Sequence, residues 1–411
     1  MSPRFVSLFS GCGGLDLGFI QAGFTCIAAF DLDKDAVDTY RRNIGDHIQR
    51  KDLGSFVIDP SVVKKIKEAD VLVAGPPCQG FSTAGKNDPS DIRNSLLIRV
   101  AELAAEALPK VVVIENVRGL LSPRYEAYWS RLISILNDAG YHVSSKVIEA
   151  SSVGVAQRRK RVIVIATHKT PAIDLLFRHI PEKTLGQALI GVESFSHHNV
   201  VPLLPESDVF KIAMHIAQGQ KLSNVRGGES SVHTWEIPEV FGRTTLKEKK
   251  ILEALLQMRR KNRRRSIGDA DPVELDLICD ALGFDVYPHI EKLISKGYIR
   301  RVGELYDITH TFNGKYRRLK AHEPAPTVDT RFGEARYFLH PYENRGFSVR
   351  EAARIQGFPD SFFFEVSSKS AYRLIGNAVP PPMAKAIASL IKKKVFDKDA
   401  STILREACFV D

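Results

Sequence analysis

A cysteine lies just beyond a short apolar run, in the sequence Val-Leu-Val-Ala-Gly-Pro-Pro-Cys at 71–78. The four apolar residues predict a buried strand, and the Gly-Pro-Pro turn ends it. In an open α/β sheet, the loops after the carboxyl ends of the strands bind ligands. Because two prolines restrict this loop, Cys78 is expected to hold a fixed position. The arrangement favours a nucleophilic thiol, whereas an isolated cysteine is more often a structural, half-buried residue.

A carboxylate and a basic cluster follow further along the chain. The β-branched run that begins at Val111 predicts a buried strand, which carries Glu115 to the same sheet edge as Cys78. Between two later predicted strands lies Gln-Arg-Arg-Lys-Arg at 157–161. Taken singly, Glu115 fits a surface glutamate and the cluster fits a solvated face. Beside the cysteine, both are candidates for chemical roles.

A glycine-rich turn lies close to the N-terminus. Residues 4–8 predict a strand, Phe-Ser-Gly-Cys-Gly-Gly at 9–14 a turn, and 15–22 a helix, an order that lets backbone approach a nucleotide-like ligand. The spacing is not Gly-x-Gly-x-x-Gly, which argues against a dinucleotide. Asp31 ends the next strand, where it is placed to accept hydrogen bonds from ribose hydroxyls. Capping of the following helix, a role that also suits Asp33, is the alternative.

Strands alternate with helices from residue 4 to 168, which predicts a doubly wound α/β domain. The length of 411 residues suggests two or three domains. A net charge of +10 and a pI near 9.3 favour a polyanionic partner, above all nucleic acid. The five cysteines show no Cys-x-x-Cys pair and no metal-ligand spacing, so we expect a reducing cytoplasm and no metal. Neither a membrane span nor a signal peptide is evident.

The pattern changes after about residue 170. Residues 181–245 mix Pro, Gly, Ser and His with weak periodicity, which predicts a second domain of irregular build. Helices predicted at 246–259, 272–282 and 287–295 precede a hairpin at 299–308 with Gly-Glu at its turn. Three helices and a hairpin suggest a winged helix, which serves DNA binding in some proteins and protein binding in others.

An intensely basic run at 259–265 follows the first of these helices. We expect it to contact phosphate, which attracts Lys and Arg whatever the base sequence. Neutralising Arg263, Arg264 and Arg265 is expected to weaken binding to all DNA sequences alike and to lessen its salt dependence, as measured by binding isotherms over a salt series. Unchanged binding would assign the run to solvation alone.

The C-terminal part carries two further motifs. A helix is predicted to begin after Ser348, its N-cap, with Glu351 three residues on as in a capping box, and a Gly and a Pro end it near 357–359. Gly-Asn-Ala-Val-Pro-Pro at 376–381 then precedes a final helix predicted at 383–394.

Taken together, these motifs resemble the DNA (cytosine-5) methyltransferase family. Six of them occur in the family's order over roughly 1–170 and 310–392, which is far more specific than any single one. The motifs are Phe-x-Gly-x-Gly-Gly at 9–14, Pro-Pro-Cys-Gln at 76–79, Glu-Asn-Val at 115–117, Gln-x-Arg-x-Arg at 157–161, Arg-Glu-Ala-Ala-Arg-x-Gln-Gly-Phe-Pro at 350–359 and Gly-Asn-Ala-Val at 376–379.

The resemblance implies a Rossmann-like S-adenosylmethionine-dependent methyltransferase domain with a doubly wound mixed sheet, discontinuous over 1–185 and 372–411. A target-recognition domain would occupy 186–371, with the winged-helix-like part at 246–310. S-adenosylmethionine would donate the methyl group and leave as S-adenosylhomocysteine. Family members often carry a larger aromatic where this chain has Leu32, so stacking on adenine is expected to be weaker. The implied cofactor residues are Phe9, Ser10, Gly11, Gly13, Gly14, Asp31, Leu32, Asp52, Leu53, Pro77, Leu96, Asn377 and Val379.

The resemblance also implies a mechanism. Carbon 5 of cytosine is a poor nucleophile, and addition of the Cys78 thiolate to carbon 6 would turn the base into an enamine. Glu115 would hydrogen-bond N3 and the exocyclic amine. Arg159 and Arg161 would reach O2 of the base or the adjacent phosphate. After methyl transfer a base removes the carbon-5 proton, the bond between Cys78 and carbon 6 breaks, and Cys78 leaves. The sequence does not identify that base, and water is one candidate.

Double-stranded DNA is the implied substrate, with the target cytosine flipped out of the stack. Gln79, Ser82, Arg263, Arg264 and Arg265 are the predicted DNA contacts, and the variable region would read base edges in the major groove. By analogy with bacterial restriction–modification enzymes, we expect a cytoplasmic, nucleoid-associated monomer. A cognate endonuclease would act on the same site without direct contact.

Three other functions stay open at this stage. A methyltransferase for amino groups would show Asp/Asn/Ser-Pro-Pro-aromatic where this chain has Gly-Pro-Pro-Cys. An RNA cytosine-5 methyltransferase is the nearer alternative, since one branch of the same family methylates tRNA; the long variable region favours DNA. A DNA-binding regulator without catalysis is disfavoured by the intact Cys78 and Glu115.

Overall fold

The computed structural model describes residues 2–54, 59–78, 80–81, 88, 91–177, 180–195, 197–225, 227–261, 270–310 and 312–397. The chain forms two compact units. The first unit comprises 1–198, 322–330 and 349–411, and the second comprises 199–321 and 331–348. Each unit therefore draws on parts of the chain that are far apart in sequence.

The elements are numbered here in chain order over the described residues. The strands are β1 (Arg4–Leu8), β2 (Thr25–Asp31), β3 (Ile48–Arg50), β4 (Val71–Ala74), β5 (Val111–Val117), β6 (Tyr141–Glu149), β7 (Gln157–Arg158), β8 (Lys160–His168), β9 (Lys221–Ser223), β10 (Ser231–Val232), β11 (Ile299–Val302), β12 (Leu305–Ile308), β13 (Asn313–Lys315), β14 (Arg317–Arg318), β15 (Ala325–Pro326) and β16 (Phe338–Leu339). The α-helices are α1 (Gly14–Gln21), α2 (Lys34–Asn43), α3 (Pro60–Lys67), α4 (Ser95–Ala107), α5 (Glu126–Asp138), α6 (Leu185–Leu189), α7 (Asp208–Met214), α8 (Pro238–Phe241), α9 (Leu246–Lys261), α10 (Leu275–Leu282), α11 (Tyr287–Ser295), α12 (Val349–Gln356), α13 (Ser368–Asn377) and α14 (Pro381–Ile391).

A seven-stranded mixed sheet forms the centre of the first unit, in the order β3-β2-β1-β4-β5-β8-β6. The first five strands in this order are parallel, and β8 pairs antiparallel with both β5 and β6. The chain builds outward from β1 towards one edge and from β4 towards the other. In such sheets the carboxyl ends of the two central strands border the crevice in which ligands bind. The predicted doubly wound mixed sheet is confirmed.

Helices cover both faces of the sheet, because alternate side chains of each strand point to opposite faces. Leu72 and Ala74 pack with apolar residues of α3, α4 and α5, whereas Val71 and Val73 pack in a second core with residues of α1 and α14. Strands that are buried on both faces have continuous runs of apolar residues, and these runs were the pattern that predicted the strands from the sequence. The last helix therefore lies beside the first, as the resemblance implied.

Four of the described helices of the first unit were not foreseen: α3, α5, α6 and α13. The last of them, α13, ends inside the Gly-Asn motif, whose composition is typical of a loop. A side chain at Gly376 would not fit within this helix, because a Cβ atom would lie 2.6 Å from the Asp329 carbonyl carbon. The final helix begins at Pro381 rather than Met383, since proline suits the first helical turn.

Gly18 sets how closely α1 and α14 approach. A Cβ atom at this position would lie 2.3 Å from Ala384 Cβ and 2.6 Å from the Pro381 carbonyl oxygen. We therefore expect Gly18→Ala to force the helices apart, at a cost of about 2 kcal/mol or more in the free energy of unfolding even after alanine's better helix propensity. Denaturant unfolding measures it. Gln21→Ala, exposed on the same helix, is the control; equal stability of both variants would contradict the packing argument.

The described residues of the second unit form small sheets and two apolar clusters. In one sheet, β9 pairs parallel with β10 and antiparallel with β13. One apolar cluster gathers around this sheet and includes Leu222, Val232 and Leu339. The other lies under α9, α10, α11 and the hairpin β11–β12, with Trp235 and Tyr298 fully buried in it. This second cluster gives the three helices and the hairpin a core of their own.

The three predicted helices and the hairpin are present, but the second helix begins later than expected. It starts at Leu275 rather than 272, because Val273 instead pairs with Tyr306 through two main-chain hydrogen bonds of 2.9 Å. The assignment of these elements as a winged helix stays a prediction. Arg259, the first residue of the basic run, is buried and bonded through Nε to Asp307 at 2.5 Å. The expectation that the run at 259–265 contacts phosphate stays a prediction, since residues 262–265 lie outside the described residues.

The unit boundaries differ from the expected domain limits of 185 and 372. Residues 322–330 and the chain from Val349 onward belong to the first unit. Two sets of contacts account for this. The strand β15 pairs with β7, and Gln356 at the end of α12 donates hydrogen bonds to the carbonyls of Ile375 and Ala378. These contacts link segments whose separation in sequence gives no sign of their proximity.

Candidate active site

The loop that carries Cys78 is held from both sides. The Phe81 amide donates to the Cys78 carbonyl at 3.0 Å, and the Tyr125 hydroxyl donates to the Gly80 carbonyl at 2.6 Å. The Phe81 ring is fully buried and packs edge-on against Tyr125, with ring centroids 5.0 Å apart. The cysteine thus follows β4 in a turn that is anchored in the core.

Glu115 and Arg161 form an ion pair beside this loop. The antiparallel pairing of β5 with β8 sets Arg161 opposite Val117, two residues beyond the glutamate. Arg161 Nε lies 2.8 Å from Glu115 Oε1, and both side chains are largely buried, with 13% and 10% of their surface exposed. Because solvent screens such a pair only weakly, the guanidinium holds the carboxylate in one orientation.

Arg159 is engaged differently from Arg161. It is buried, and its two terminal nitrogens donate to the carbonyls of Val328 and Gly376 at 3.1 and 3.0 Å. Burial lowers the pKa of Arg159 to about 9, so the guanidinium still carries its charge at neutral pH. Nε has no partner among the described residues. A guanidinium has five N–H donors, so these two bonds leave capacity for the base or phosphate contact that the resemblance implied, and that contact stays a prediction.

The Cys78 thiol is free, and burial raises its pKa above the ordinary value. The charge of Glu115 raises the pKa further, while Arg161 and Arg159 lower it. The positive environment expected from the sequence is thus present, but burial and the carboxylate outweigh it in the protein alone. The thiolate is the reactive form, so any process that neutralises Glu115 favours reaction at Cys78.

The glycine-rich turn lies between β1 and α1 and is bonded to the end of β2. The Gly11 amide donates to Asp31 Oδ2 at 2.7 Å, and the Asp33 amide donates to Oδ1 at 2.9 Å. Phe9 adopts a φ of 55°, a left-handed conformation that non-glycine residues rarely take and that concentrates at functional sites. Asp33 also caps α2, the role suggested for it from the sequence.

One cavity of about 700 Å³ in the first unit brings the predicted residues together. It extends from the glycine-rich turn across the ends of β2, β4 and β5 to the C-terminal half of α13 and the segment after it. The predicted residues that line it are Phe9, Ser10, Gly11, Gly14, Asp31, Leu32, Asp52, Leu53, Pro77, Cys78, Leu96, Glu115, Arg159, Arg161, Asn377 and Val379. Predicted cofactor and catalytic residues therefore share a single space.

Gly13 is the one predicted cofactor residue that does not line the cavity. Its φ is 93°, and a Cβ atom there would lie 2.2 Å from the side chain of Ile44 and 2.9 Å from that of Tyr40. This glycine lets α1 begin close to α2. It therefore affects the conformation of the turn without lining the cavity. The predicted DNA contacts Gln79, Ser82, Arg263, Arg264 and Arg265 lie outside the described residues.

The cavity is also lined by three basic residues that were not predicted from the sequence. They are Lys51, Arg93 and Arg373. Arg373 on α13 forms ion pairs with Asp33 and Asp35, and its charge lowers the pKa of Asp31, although burial raises that pKa overall. The sequence pattern that could have indicated Arg373 is Arg-x-x-Gly-Asn at 373–377, which overlaps the last motif. Only the helix α13, which was not foreseen, brings this arginine to the cavity.

A buried hydrogen-bonded network lies behind the glycine-rich turn. The Ser10 hydroxyl donates to that of Ser7 at 2.9 Å, and Ser7 donates to Asp16 Oδ1 at 2.6 Å. The Tyr40 hydroxyl donates to the other carboxylate oxygen at 2.9 Å and also contacts His47 Nε2 at 3.0 Å. Burial raises the pKa of Asp16 to about 7, against the lowering effect of the two hydroxyl donors.

This raised pKa predicts a pH dependence of stability. The folded protein binds the Asp16 proton more tightly than the unfolded chain does. The contribution of this proton to the free energy of unfolding is therefore full below about pH 4 and is lost as the pH rises through about 7. Each tenfold change in proton affinity is worth about 1.4 kcal/mol, so we expect a loss of a few kcal/mol. Unfolding of the wild type and of Asp16→Asn between pH 5 and 8 measures it. Parallel curves for the two proteins would contradict the assignment.

Neither a metal centre nor a membrane-crossing helix is found in the part of the chain that the structure describes. No group of three His, Cys, Asp or Glu side chains there is arranged to hold a metal ion. No helix in those ranges has both the length and the apolar character needed to cross a membrane.

Solved structures with similar folds are methyltransferases. A DNA modification methyltransferase encoded within an Escherichia coli prophage has a TM-score of 0.58 at 23% identity, over 96% of this chain and 99% of that one. The Entamoeba histolytica methyltransferase EhMeth has a TM-score of 0.54 at 15% identity, over 97% of this chain and all of the other. At these identities the likeness defines the fold alone, which is one that these methyltransferases share.

The family follows from the sequence match. A model of the C-5 cytosine-specific DNA methylases matches residues 3–393. The Type II methyltransferase M.NgoFVII of Neisseria gonorrhoeae is 32% identical over 95% of this chain and 86% of its own length, and M.HgiBI of Herpetosiphon aurantiacus is 29% identical over 96% and 98%. The chain belongs to the C-5 cytosine-specific DNA methylase family and is a DNA (cytosine-5) methyltransferase, as the six motifs indicated.

Proposed function

We propose that this enzyme transfers a methyl group from S-adenosylmethionine to carbon 5 of a cytosine flipped out of a specific double-stranded DNA sequence, through a covalent bond between Cys78 and carbon 6. The observation that carries the proposal is the shared cavity: Cys78, the Glu115–Arg161 pair and the glycine-rich turn all line it. A nucleophile, a charge-stabilising pair and a nucleotide-sized cradle in one space suit a two-substrate transfer.

The residues at one end of the cavity fit S-adenosylmethionine. Asp31 is oriented by the amides of Gly11 and Asp33, and each of its oxygens retains acceptor capacity for ribose hydroxyls. Leu32, half exposed beside it, offers an apolar face to adenine. Gly11 has open space where a side chain would stand, so a ligand can approach the backbone there. When bound, the cofactor supplies an electrophilic methyl group.

At the other end, the chemistry falls to Cys78 and Glu115. Glu115 in its protonated form would donate to N3 of the flipped cytosine, which draws electrons from the ring as the thiolate adds to carbon 6. Protonation of Glu115 also removes the charge that raises the pKa of Cys78, so base binding and thiol activation would support each other. Arg161 would steady the carboxyl group throughout.

The biological role that fits best is host protection in a restriction–modification system, within the cytoplasm and on chromosomal DNA. The relatives M.HgiBI and M.NgoFVII are named Type II methyltransferases, which supports this role. The second unit would read the target sequence, with a cognate endonuclease that acts on the same site independently. An RNA substrate stays the alternative, since the cavity chemistry is the same for a cytosine in either polymer.

Base-resolution mapping of 5-methylcytosine in a methylation-deficient bacterium that expresses the chain tests the proposal. We expect methylation at one short sequence, absent from cells that express Cys78→Ala at the same level. Folded wild-type protein that leaves DNA unmodified but modifies tRNA would transfer the proposal to the RNA alternative. Methylation by both proteins would exclude the covalent route through Cys78.

A further inference from the structure

A closed ring of buried hydrogen bonds lies beside the cavity, in the first unit. It joins Gln157, Gln356 and Arg159 to the main chain, and all three side chains are at most 1% exposed. Four segments that are far apart in sequence meet in it. In order, they are 157–159, residue 328, residue 356 and 375–378.

The bonds can be followed around the ring. Gln356 donates through Nε2 to the carbonyls of Ile375 and Ala378 at 3.0 and 2.6 Å, and its side-chain oxygen accepts from Gln157. Gln157 in turn accepts from the Val328 amide at 3.0 Å. Arg159 closes the ring, because it donates to the Val328 carbonyl at 3.1 Å and to the Gly376 carbonyl at 3.0 Å.

The ring fixes one wall of the cavity. Gly376, Asn377, Ala378 and Val379 all line the cavity, and the ring holds the carbonyls on either side of Asn377 as well as that of Ile375. Arg159 lines the same cavity near Cys78. The ring therefore ties the predicted cofactor wall to a charged group beside the nucleophile. The side-chain amide of glutamine suits position 356, because this one group must donate to two carbonyls and accept from Gln157 at the same time.

We infer that Gln356 and Gln157 are positioning residues, which hold the 376–379 wall in the place that S-adenosylmethionine requires. The inference rests on the proposed function, because it assigns the wall to the cofactor. A buried carbonyl that loses its donor moves to find another partner, and the wall moves with it. Arg159 keeps its own two bonds when Gln356 changes, so the nucleophile's surroundings are affected less than the wall.

Gln356→Met tests this, since it keeps the volume and removes both donors. We expect the dissociation constant for S-adenosylmethionine to rise about tenfold and kcat at saturating cofactor to fall less than threefold. Calorimetric titration and steady-state assays on the full chain measure the two quantities. Gln21→Met, an exposed glutamine on α1, is the matched control and should leave both unchanged.

Gln157→Met provides a second, independent variant should Gln356→Met fold poorly. It is expected to raise the dissociation constant for S-adenosylmethionine about threefold. In the double variant, the fold increase in this constant should be less than the product of the two single-variant increases, because both residues act through one ring. Variants with lower melting temperatures but unchanged cofactor affinity would show a merely structural role and overturn the inference. Wild-type protein that binds no S-adenosylmethionine would overturn the proposed function as well.

Discussion

Cys78→Ala is expected to reduce methyl transfer to DNA by roughly 10⁴-fold or more, because loss of a nucleophile removes the whole covalent route. The side chain lies in the cavity at the end of an anchored loop, and the anchoring bonds among the described residues run through main-chain atoms and the Tyr125 hydroxyl, which the substitution leaves in place. Binding of S-adenosylmethionine and of DNA should therefore persist. Transfer of a labelled methyl group to DNA measures the activity, and titration measures the binding.

Cys279→Ala is the matched control, since this partly exposed cysteine belongs to the second unit and is also free. It should retain full activity. A Cys78→Ala enzyme that keeps more than about a tenth of the wild-type rate would exclude the covalent mechanism. Loss of cofactor binding in the variant would instead point to a structural role for the thiol.

Glu115→Gln is expected to lower kcat by about 10²- to 10³-fold, the usual range for loss of a group that stabilises charge in the transition state. The amide cannot supply the proton that N3 of cytosine needs. The ion pair with Arg161 is lost as well, which leaves that guanidinium free to act on Cys78. Single-turnover methylation at saturating DNA and cofactor separates this chemical effect from binding.

The same variant should make the thiol more acidic, since the charge of Glu115 raises the pKa of Cys78. At a fixed pH near 8, alkylation of Cys78 should therefore be faster than in the wild type while methylation is slower. Glu149→Gln, which removes a surface ion pair with Lys160, should change neither rate. If alkylation and methylation fell together, Glu115 would be acting on the loop and not on the base.

Much of the site could be predicted because its parts are local. Each of the strand ends and turns that carry Phe9, Asp31, Cys78 and Glu115 has a clear pattern of apolar residues, glycine and proline. Parallel strands bring their carboxyl ends to one edge of the sheet, so the sequence alone implied that these residues meet. The order of the six motifs then identified the family. Net charge and length indicated the polyanionic substrate and the presence of a second unit.

The tertiary structure decided what depends on contacts between distant segments. Arg159 and Arg161 stand in one motif, yet one binds main-chain carbonyls and the other binds Glu115, a difference set by the strand register and by residues 328 and 376. The pKa of Cys78 also follows from burial and neighbouring charges, which no local pattern reveals. The hydrogen-bonded ring through Gln356 exists only in the folded chain, because its members come from four separate parts of the sequence.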